Sequence, residues 1–500
     1  MFIDARSLDQ DARIESDICI VGAGAAGLTL AQSFAGTPFR VCLLESGGLA
    51  PEAATQALAG GQVSGLRYMP LQSTRLRYFG GTTNHWAGQS VPLSRIDLQK
   101  RGWVAHSGWP ISIEELGPWY RKALDILELG QAPFSGDYWQ ASSGYAQLPL
   151  AADKLQTLVF RFGPPVRFGQ KYRPLVAESS SIQAYLHANV TEVNSTPDGG
   201  HVTELSGATL AGNRFTVNAK TFILACGAME NCRLLLASKG SSIQGLGNRN
   251  DLVGRYFMEH PNSHAARVLW TDGRFPVLYK PHLQVAEARL KSNLVISESL
   301  QRQQRLLNYS AFFLQRNGGG EHPPGLAQQL EAVILRLSAL SGRAIGRDPG
   351  PDSQLALRLE HLPHPQSRIR LGEQRDALGM PLTHVHWYIG DQEYESYLRF
   401  RRLLVMELGR ASLARLGLVG YPDKESWRDG LGFQYHHMGG TRMHADPASG
   451  VVDRQCKVHG IDNLYIAGSS VFPNSGHANP TITIVALAAR LAQHIVDNRP

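Results

Sequence analysis

The stretch DICIVGAGAAGLTLAQSFAG (residues 17–36) contains the pattern that decides the fold of this chain. A short apolar run leads into Gly22, Gly24 and Gly27, and a helical periodicity follows. In such a strand–turn–helix, the first glycine makes the tight turn, the second admits a pyrophosphate and the third lets the helix pack on the strand. A second strand-like run, FRVCLLES (39–46), includes Glu45, the acid expected to bind ribose hydroxyls. Together these features predict a Rossmann-like domain that binds a dinucleotide.

Patterns of the same type recur in the middle and at the end of the chain. The apolar run TFILACG (221–227) precedes a predicted helix that begins near Glu230, and NLYIAG (463–468) precedes a predicted helix over 480–496. We therefore predict one discontinuous dinucleotide-binding domain made of residues 1–90, 166–261 and 421–500. The inserted residues 91–165 and 262–420 form the candidate substrate domain.

Composition limits the class of protein. The chain has 500 residues, of which 43% are hydrophobic and 18% charged, which is typical of globular proteins. The formal net charge is +7, but the basic residues are scattered, so we expect no nucleic-acid partner. The five cysteines have no zinc-binding spacing, and no metal site is predicted.

The targeting signals that the sequence carries are few. The N-terminus lacks the basic and apolar regions of a secretory signal, and no run of about 18 apolar residues predicts a membrane-spanning helix. We expect a cytoplasmic protein, although export with a signal-bearing partner stays open.

The basic amphipathic segment 397–417 predicts a helix that covers a sheet rather than one that lies on a membrane. Two Gly/Pro-rich stretches, 316–325 and 346–353, predict loops on either side of a further helix.

Several motifs, taken in order, resemble those of the glucose-methanol-choline (GMC) oxidoreductases. They are VGAGAAGLTLA, GGTTNHWAG (80–88), ILACGAMENCRLLL, VGRYFMEHP (253–261), HHMGGTRM and GSSVFPNSGHANPTITIVALA. Within that family the chain looks most like the branch of pyranose oxidases, the fructose dehydrogenase large subunit and glucoside 3-dehydrogenases. The resemblance implies FAD as cofactor, oxidation of an alcohol to a carbonyl, and an α/β plus α+β architecture. In that architecture, the inserted substrate domain is built on an antiparallel sheet covered by helices.

The resemblance also implies a catalytic pair, a histidine base and a His or Asn at the start of the last helix. The second position falls on Asn479, which precedes Pro480. Asn is also a favoured helix N-cap and Pro a favoured first helical residue, so Asn479 has a structural alternative as a cap. Nearby His477 is a weaker candidate for the site.

Two adjacent histidines, His436 and His437, compete for the role of base. Counting back from Met443 by the family spacing selects His436, whereas anchoring on Gly440 and Thr441 selects His437 and requires a gap. The ungapped alignment favours His436. If the segment is extended, neighbouring side chains point to opposite faces, and only one histidine reaches a given substrate.

The motif GGTTNHWAG is the second chemical stretch. Its glycines suit close approach to a cofactor, and His85 aligns with a histidine that some family members bond covalently to flavin, with Trp86 as an aromatic wall. Ala87 stands where pyranose oxidases carry a hydroxyl residue, which favours a dehydrogenase over an oxidase. The cofactor contacts expected beyond the first stretch are Gly80, Gly81, Thr82, Asn84, His85, Trp86, Val190, Ala225, Gly468, Ser469, Asn479, Pro480 and Thr481.

The expected function is therefore FAD-dependent oxidation of an alcohol, with a secondary alcohol of a sugar, polyol or related metabolite favoured by the branch. The electron acceptor, whether oxygen, a quinone or a cytochrome subunit, is open. One alternative is a lyase of the hydroxynitrile type, which keeps this fold without net redox chemistry. A second alternative is a cofactor-loaded structural subunit.

Overall fold

A computed structural model describes residues 1–164, 166–240, 242–315 and 353–498. Its strands are β1 Phe2–Asp4, β2 Ala12–Val21, β3 Val41–Leu44, β4 Gly61–Gly65, β5 Gln89–Ser90, β6 Leu155–Phe162, β7 Ile182–Leu186, β8 Asn189–Ser195, β9 Val202–Ala208, β10 Arg214–Leu224, β11 Asn262–Trp270, β12 Leu283–Val285, β13 Ala288–Ile296, β14 Ser310–Gln315, β15 Ser353–Arg358, β16 Arg368–Arg375, β17 Pro381–Trp387, β18 Ala414–Leu418 and β19 Leu464–Ile466. Its helices are α1 Ala25–Phe34, α2 Ala53–Ala57, α3 Arg95–Leu98, α4 Ile113–Ile126, α5 Gly136–Ser143, α6 Phe168–Glu178, α7 Ala228–Ala237, α8 Glu298–Gln304, α9 Asp391–Arg410, α10 Lys424–Asp429 and α11 Thr481–Asp497. The loops predicted at 316–325 and 346–353 and the helix between them lie outside the described residues, except for Ser353, which begins β15.

The first sheet is built around β2, the strand that precedes the glycine pattern. Its strand order is β1-β7-β3-β2-β10-β9-β8, with β19 also paired to β10. The pairs from β1 to β10, and the pair of β10 with β19, are parallel, whereas β8 and β9 add an antiparallel edge. Parallel strands are covered on both faces, which explains the continuous apolar run at the end of β2. The predicted Rossmann-like arrangement is confirmed.

The parallel strands of this sheet bring distant parts of the chain together at one edge. Val21 at the end of β2 pairs with Leu44 and with Leu224, and Leu224 pairs with Ile466. The residues that follow β2, β3, β10 and β19 are therefore neighbours, although they come from three separate segments. In open parallel sheets, ligands bind outside the carboxyl ends of the strands.

The second sheet is antiparallel, with the order β18-β11-β15-β14-β13-β6-β5 and with β12 paired to β13. Helix α9 lies against it, and the Tyr397 hydroxyl donates to the carbonyl of His264 in β11 over 3.1 Å. The predicted helix over 397–417 was wrong at both ends. Helix α9 begins earlier and ends at Arg410, and after Ser412 (φ 55°) the chain turns into β18 and pairs with β11.

A third sheet joins the predicted domains. Strands β16 and β17 come from the expected substrate domain, but β17 pairs in parallel with β4 from the front of the chain. Strand β5, at the end of the first cofactor segment, lies in the second sheet. We therefore keep the predicted domain division as a proposal, with residues 61–65 and 368–387 at the seam between the two parts.

Candidate active site

A cavity of about 690 Å³ opens at the carboxyl ends of β2, β3 and β10. Ligand sites typically occupy roughly 300–1,000 Å³. Its wall joins the front, the middle and the end of the chain, and it contains most of the residues predicted from the sequence. These are Gly22, Gly24, Glu45, Gly81, Thr82, His85, Trp86, Val190, Ala225, His436, His437, Gly468, Ser469, Asn479, Pro480 and Thr481.

The three glycines of the first stretch take different positions. Gly22 has φ 102°, and a Cβ there would lie 2.7 Å from the carbonyl oxygen of Ala225. A Cβ at Gly27 would lie 1.8 Å from the carbonyl oxygen of Gly22, so only hydrogen fits between helix and strand. A Cβ at Gly24 would meet no described atom within 4 Å. Gly24 therefore faces the cavity at the N-terminus of α1, where free N–H groups and the helix dipole favour a phosphate.

The carboxylate of Glu45 is fixed at the edge of the cavity by backbone donors. Oε2 accepts from the Ala23 N–H and Oε1 from the Gly47 N–H, each over 2.9 Å. Oε1 also accepts from the Ser46 hydroxyl over 3.3 Å. Because each carboxylate oxygen offers about two acceptor positions, Oε2 keeps one for a further donor. The side chain is thus held in place with an acceptor left for a neighbouring hydroxyl group.

Gly80 and Asn84 lie outside the cavity wall, unlike their expected role as cofactor contacts. The Asn84 amide donates to the carbonyl of Phe79 over 2.8 Å, and its oxygen accepts from the Gly169 N–H over 3.0 Å. A Cβ at Gly80 would lie 2.4 Å from the nitrogen of Gly169. Both residues therefore shape the loop against α6, so that the following residues reach the cavity.

His85 and Trp86 reach the cavity from that loop. The His85 Nε2 is 2.7 Å from the Tyr78 hydroxyl, and the Trp86 Nε1–H donates to the Val166 carbonyl over 2.9 Å. Ala87 also lines the cavity, so a hydroxyl side chain at this position would have faced it.

His436 and Asn479 meet at the cavity wall. The His436 Nε2 lies 3.4 Å from the Asn479 Nδ2. The Asn479 Oδ1 accepts from the Arg358 Nη1 over 2.8 Å. The Asn479 side chain makes its hydrogen bonds with Arg358 and His436 rather than with an N–H group of α11. Its amide instead faces the histidine.

His437 also reaches the cavity, but its ring is engaged elsewhere. Its Nε2 is 3.0 Å from the Tyr68 hydroxyl, which donates to the Glu259 Oε2 over 2.5 Å. Burial, together with the neighbouring Glu259, raises the pKa of Tyr68 well above its usual value, so the hydroxyl keeps its proton. Its oxygen therefore accepts from the His437 Nε2–H, which leaves no free base at that atom.

The two histidines are not separated onto opposite faces, as an extended segment would require. Both line the cavity, and residues 433–437 form no strand. Tyr435 has φ 58°, a left-handed conformation that breaks the alternation of side chains. The loop is fixed at the next turn, where the Ser469 hydroxyl donates to the His437 carbonyl over 2.6 Å.

His477 stays apart from this group. It is buried beside Phe160, with ring centroids 6.1 Å apart, and it does not line the cavity. The position of His477 therefore does not support a role for it in the site.

Four residues that sequence reasoning missed as site residues complete the group: Tyr68, Glu259, His260 and Arg358. The His260 Nδ1 lies 3.0 Å from the His436 Nδ1. His260 belongs to the MEHP motif, which was its only signal in the sequence. Arg358 and Tyr68 lie in no motif, and only the folded chain brings them here.

The surroundings keep the histidines uncharged. Burial lowers the pKa of His436 well below its usual value, and the positive charge of Arg358 acts in the same direction. Burial lowers the pKa of His437 to about 3 and that of Arg358 to about 10. A neutral imidazole in this position is a proton acceptor at physiological pH.

A family model described as GMC oxidoreductase matches residues 363–488, which include His436, His437 and Asn479. Over these residues the chain is similar to the GMC oxidoreductases. The chain is 24% identical over 544 residues to paromamine 6'-oxidase of Streptomyces fradiae, across 96% of this chain and 91% of the relative. It is 27% identical over 300 residues to the fructose dehydrogenase large subunit of Gluconobacter japonicus, which is 56% of this chain but only 48% of that relative.

The fold of the chain also matches solved structures. The crystal structure of pyridoxine 4-oxidase from Mesorbium loti aligns over 96% of this chain and 99% of that one, with 17% identity and a TM-score of 0.63. The GMC oxidoreductases are FAD-dependent enzymes that act on CH–OH groups. In residues 1–164, 166–240, 242–315 and 353–498, no helix has the length and hydropathy needed to cross a bilayer.

The residues present fit FAD. Gly24 opens at a helix N-terminus that suits the pyrophosphate, and Glu45 offers fixed acceptors to ribose hydroxyls. A second helix, α11, begins at the cavity wall beside Asn479, where its positive end favours an anionic group. Among the residues that the structure describes, no group of three or more His, Cys, Asp or Glu side chains is placed to hold a metal.

Proposed function

We propose that this enzyme oxidises a secondary alcohol of a sugar, polyol or related metabolite to a carbonyl. The observation that carries the proposal is the pairing of the His436 Nε2 with the Asn479 amide, 3.4 Å apart, on the wall of the cavity. An alcohol must lose a hydroxyl proton and a hydride in this reaction. FAD supplies the hydride acceptor when it is bound.

The remaining chemistry belongs to the side chains of the chain itself. His436 is neutral and takes the hydroxyl proton at Nε2. The Asn479 Nδ2–H donates to the oxygen on which negative charge develops, and preorganised donors of this kind stabilise such charge. Arg358 holds the amide in that orientation. We assign the base to His436 rather than to His437, because the His436 Nε2 is the atom that meets the Asn479 amide, whereas the His437 Nε2–H is donated to Tyr68.

The substrate class rests on the relatives. The names of two of them refer to fructose and to paromamine. The chain spans about half of the fructose dehydrogenase subunit, so that protein's acceptor and partners do not carry over to this chain.

We further propose a dehydrogenase rather than an oxidase. Ala87 lines the cavity without the hydroxyl that pyranose oxidases carry at this position, and the names of the relatives include both classes. The test is to reoxidise the reduced enzyme with air-saturated buffer, a soluble quinone and cytochrome c in turn. A faster reaction with oxygen than with the quinone or the cytochrome contradicts the dehydrogenase assignment.

We also propose that the flavin is held without a covalent bond. The Nε2 of His85 is engaged with Tyr78, and that contact would have to break before this nitrogen could bond to the flavin. Acid precipitation tests the point, because a non-covalent flavin stays in the supernatant. Flavin that remains in the pellet contradicts the proposal.

We also propose a reducing, cytoplasmic location. Cys19 and Cys42 lie opposite each other on the neighbouring strands β2 and β3, and both are free thiols, which supports this proposal.

The decisive experiment is anaerobic mixing of the FAD-loaded enzyme with D-glucose, methyl β-D-glucoside, D-fructose, sorbitol and 1,2-propanediol. We expect at least one of these alcohols to bleach the flavin absorbance. Racemic mandelonitrile serves as the lyase control. Release of benzaldehyde from the nitrile, with the flavin still oxidised in every alcohol, would contradict the proposed oxidation and favour the lyase.

A further inference from the structure

His260 lies behind His436, on the side of the ring away from Asn479. The two imidazole rings are perpendicular, and their Nδ1 atoms are 3.0 Å apart. The other nitrogen of His260, Nε2, lies 3.3 Å from the carbonyl oxygen of Ser475. His260 is fully buried, so protein groups alone determine where its proton resides.

These contacts determine which nitrogen carries each proton. A carbonyl oxygen only accepts, so the His260 Nε2 bears a hydrogen and donates to Ser475. The His260 Nδ1 of the neutral ring is then a lone pair, and it accepts from the His436 Nδ1–H. The Nε2 of His436 is left without a proton, and this is the atom that faces Asn479.

The amide of Asn479 agrees with this assignment. Arg358 has no acceptor atoms, so the Asn479 atom that it contacts is the carbonyl oxygen. The NH₂ group therefore faces His436, and it requires a lone pair on Nε2. The opposite tautomer of His436 would place two donors against each other at Asn479. The corresponding tautomer of His260 would place two lone pairs against each other at Ser475.

The spacing of the two histidines is also fixed through their backbones. The Oε1 of Glu259 accepts from the His260 N–H over 2.7 Å and from the His436 N–H over 2.9 Å. One carboxylate oxygen thus fixes both residues, which come from segments of the chain 176 positions apart.

We propose that His260 is a positioning residue that holds His436 as the Nδ1–H tautomer, with the Nε2 lone pair free for the substrate. The proposal rests on the assignment of His436 as the base. When His436 takes the hydroxyl proton at Nε2, it becomes an imidazolium, and its Nδ1–H bond to His260 becomes charge-assisted. His260 keeps its own proton on Nε2, where it is donated to the Ser475 carbonyl. His260 therefore orients the base and does not relay the proton.

Two substitutions separate positioning from packing. His260→Asn keeps an acceptor oxygen near the position of Nδ1, whereas His260→Leu fills a similar volume without one. With the alcohol that reduces wild type fastest among the five named above, we expect His260→Leu to lower the rate constant of anaerobic flavin reduction by roughly 10- to 100-fold, the range for loss of a partner that fixes an imidazole tautomer. The alcohol's dissociation constant should stay within about threefold, because tautomer choice affects proton transfer more than binding. His260→Asn should recover to within about fivefold of wild type, since it retains the acceptor.

A spectroscopic readout accompanies the kinetics. In protein labelled with ¹⁵N-histidine, the signals of His436, identified by their loss in His436→Gln, should report a proton on Nδ1 and none on Nε2. A proton on Nε2 of wild-type His436 overturns the proposal. So does a wild-type reduction rate in His260→Leu, or an equal loss of rate in the Leu and Asn variants with FAD bound. If His260→Leu does not bind FAD, the test rests on His260→Asn. Slow flavin reduction in His260→Asn with FAD bound then overturns the proposal.

Failure of the proposed function can be distinguished from failure of the positioning role of His260. If His436→Ala reduces flavin at the wild-type rate, His436 is not the base, and both proposals fall. If His436→Ala is inactive while His260→Leu reduces flavin normally, only the positioning role falls.

Discussion

Gly24 gives a clean test of how the cavity holds its cofactor, because the glycine pattern offers a matched set of substitutions. Gly24 has ordinary extended backbone angles, φ −87° and ψ −160°, and a Cβ there meets no described atom within 4 Å. Gly24→Ala should therefore fold without strain, and its apoprotein should stay within about 1 kcal/mol of wild type in stability. The restricted unfolded chain favours alanine, whereas the N-cap position of α1 favours glycine. The same methyl group would project into the space that the cofactor phosphates need.

The size of the effect on FAD follows from the cost of overpacking. Inserting a methyl group into a filled site costs about 1–3 kcal/mol. At about 1.4 kcal/mol per factor of ten, the dissociation constant of FAD should rise roughly 5- to 150-fold. Gly27→Ala should behave differently, because its Cβ would lie 1.8 Å from the Gly22 carbonyl oxygen and would destabilise the protein even without FAD.

The assay titrates apoprotein with FAD and follows quenching of the flavin fluorescence, with urea unfolding of the same apoprotein samples. Gly409→Ala is the control, because this glycine lies inside α9 and has no described atom within 4 Å of an added Cβ. That variant should gain about 0.5–1 kcal/mol of stability and bind FAD normally. The reasoning is refuted if Gly24→Ala binds FAD within twofold of wild type, or if its apoprotein is less stable than wild type by more than about 2 kcal/mol.

Three other predictions follow from the buried polar groups. Arg358→Met leaves the Asn479 oxygen without its donor, and it should slow anaerobic flavin reduction by roughly tenfold or more while FAD stays bound, because losing one donor to the developing charge costs up to roughly 10²–10³ in rate. A rate within twofold of wild type would contradict the role of that contact. The reduction rate should stay constant from pH 8 down to pH 6 in stopped-flow measurements, because the pKa of His436 is held below its usual value and the inactive charged form appears only as pH falls further. Half of the rate lost at pH 6.5 or above would contradict this. His361 accepts from the Glu259 N–H and donates to a carbonyl, and burial lowers its pKa to about 4, so the stability it contributes is present above pH 6.5 and is lost as pH falls toward 4. Between pH 7 and pH 5, urea unfolding of wild type should lose about 2 kcal/mol more than that of His361→Gln, at 1.36 kcal/mol per pKa unit, and equal losses would contradict the assignment.

The parts of the site that could be predicted from the sequence depend on local geometry. Gly22, Gly24 and Gly27 are spaced for one strand–turn–helix, and Glu45 follows the next parallel strand. The pairing of Val21 with both neighbouring strands then places these features at one edge of the sheet. Local sequence rules suffice to predict these features, because each strand and helix has its own sequence pattern.

The remainder depends on contacts between distant segments. Arg358 reaches Asn479 across 121 positions, and Tyr68 reaches His437 across 369 positions, with no motif to mark either one. The end of α9 was predicted too late, because pairing of β18 with β11 outweighed the helical periodicity. Likewise, the left-handed Tyr435 lets both histidines face the cavity, and residue spacing alone does not reveal such a turn.

The central claim is that His436 is the base. Its most direct test is anaerobic stopped-flow reduction of bound FAD by the best alcohol of the panel, in wild type, His436→Ala and His437→Ala. We predict that His436→Ala keeps FAD and loses roughly 10²–10⁴ in the reduction rate constant, the usual contribution of a general base. His437→Ala should stay within about tenfold of wild type, since its Nε2 contacts Tyr68 while the Asn479 amide pairs with His436. Loss of reduction in His437→Ala, with His436→Ala still active, would contradict the account.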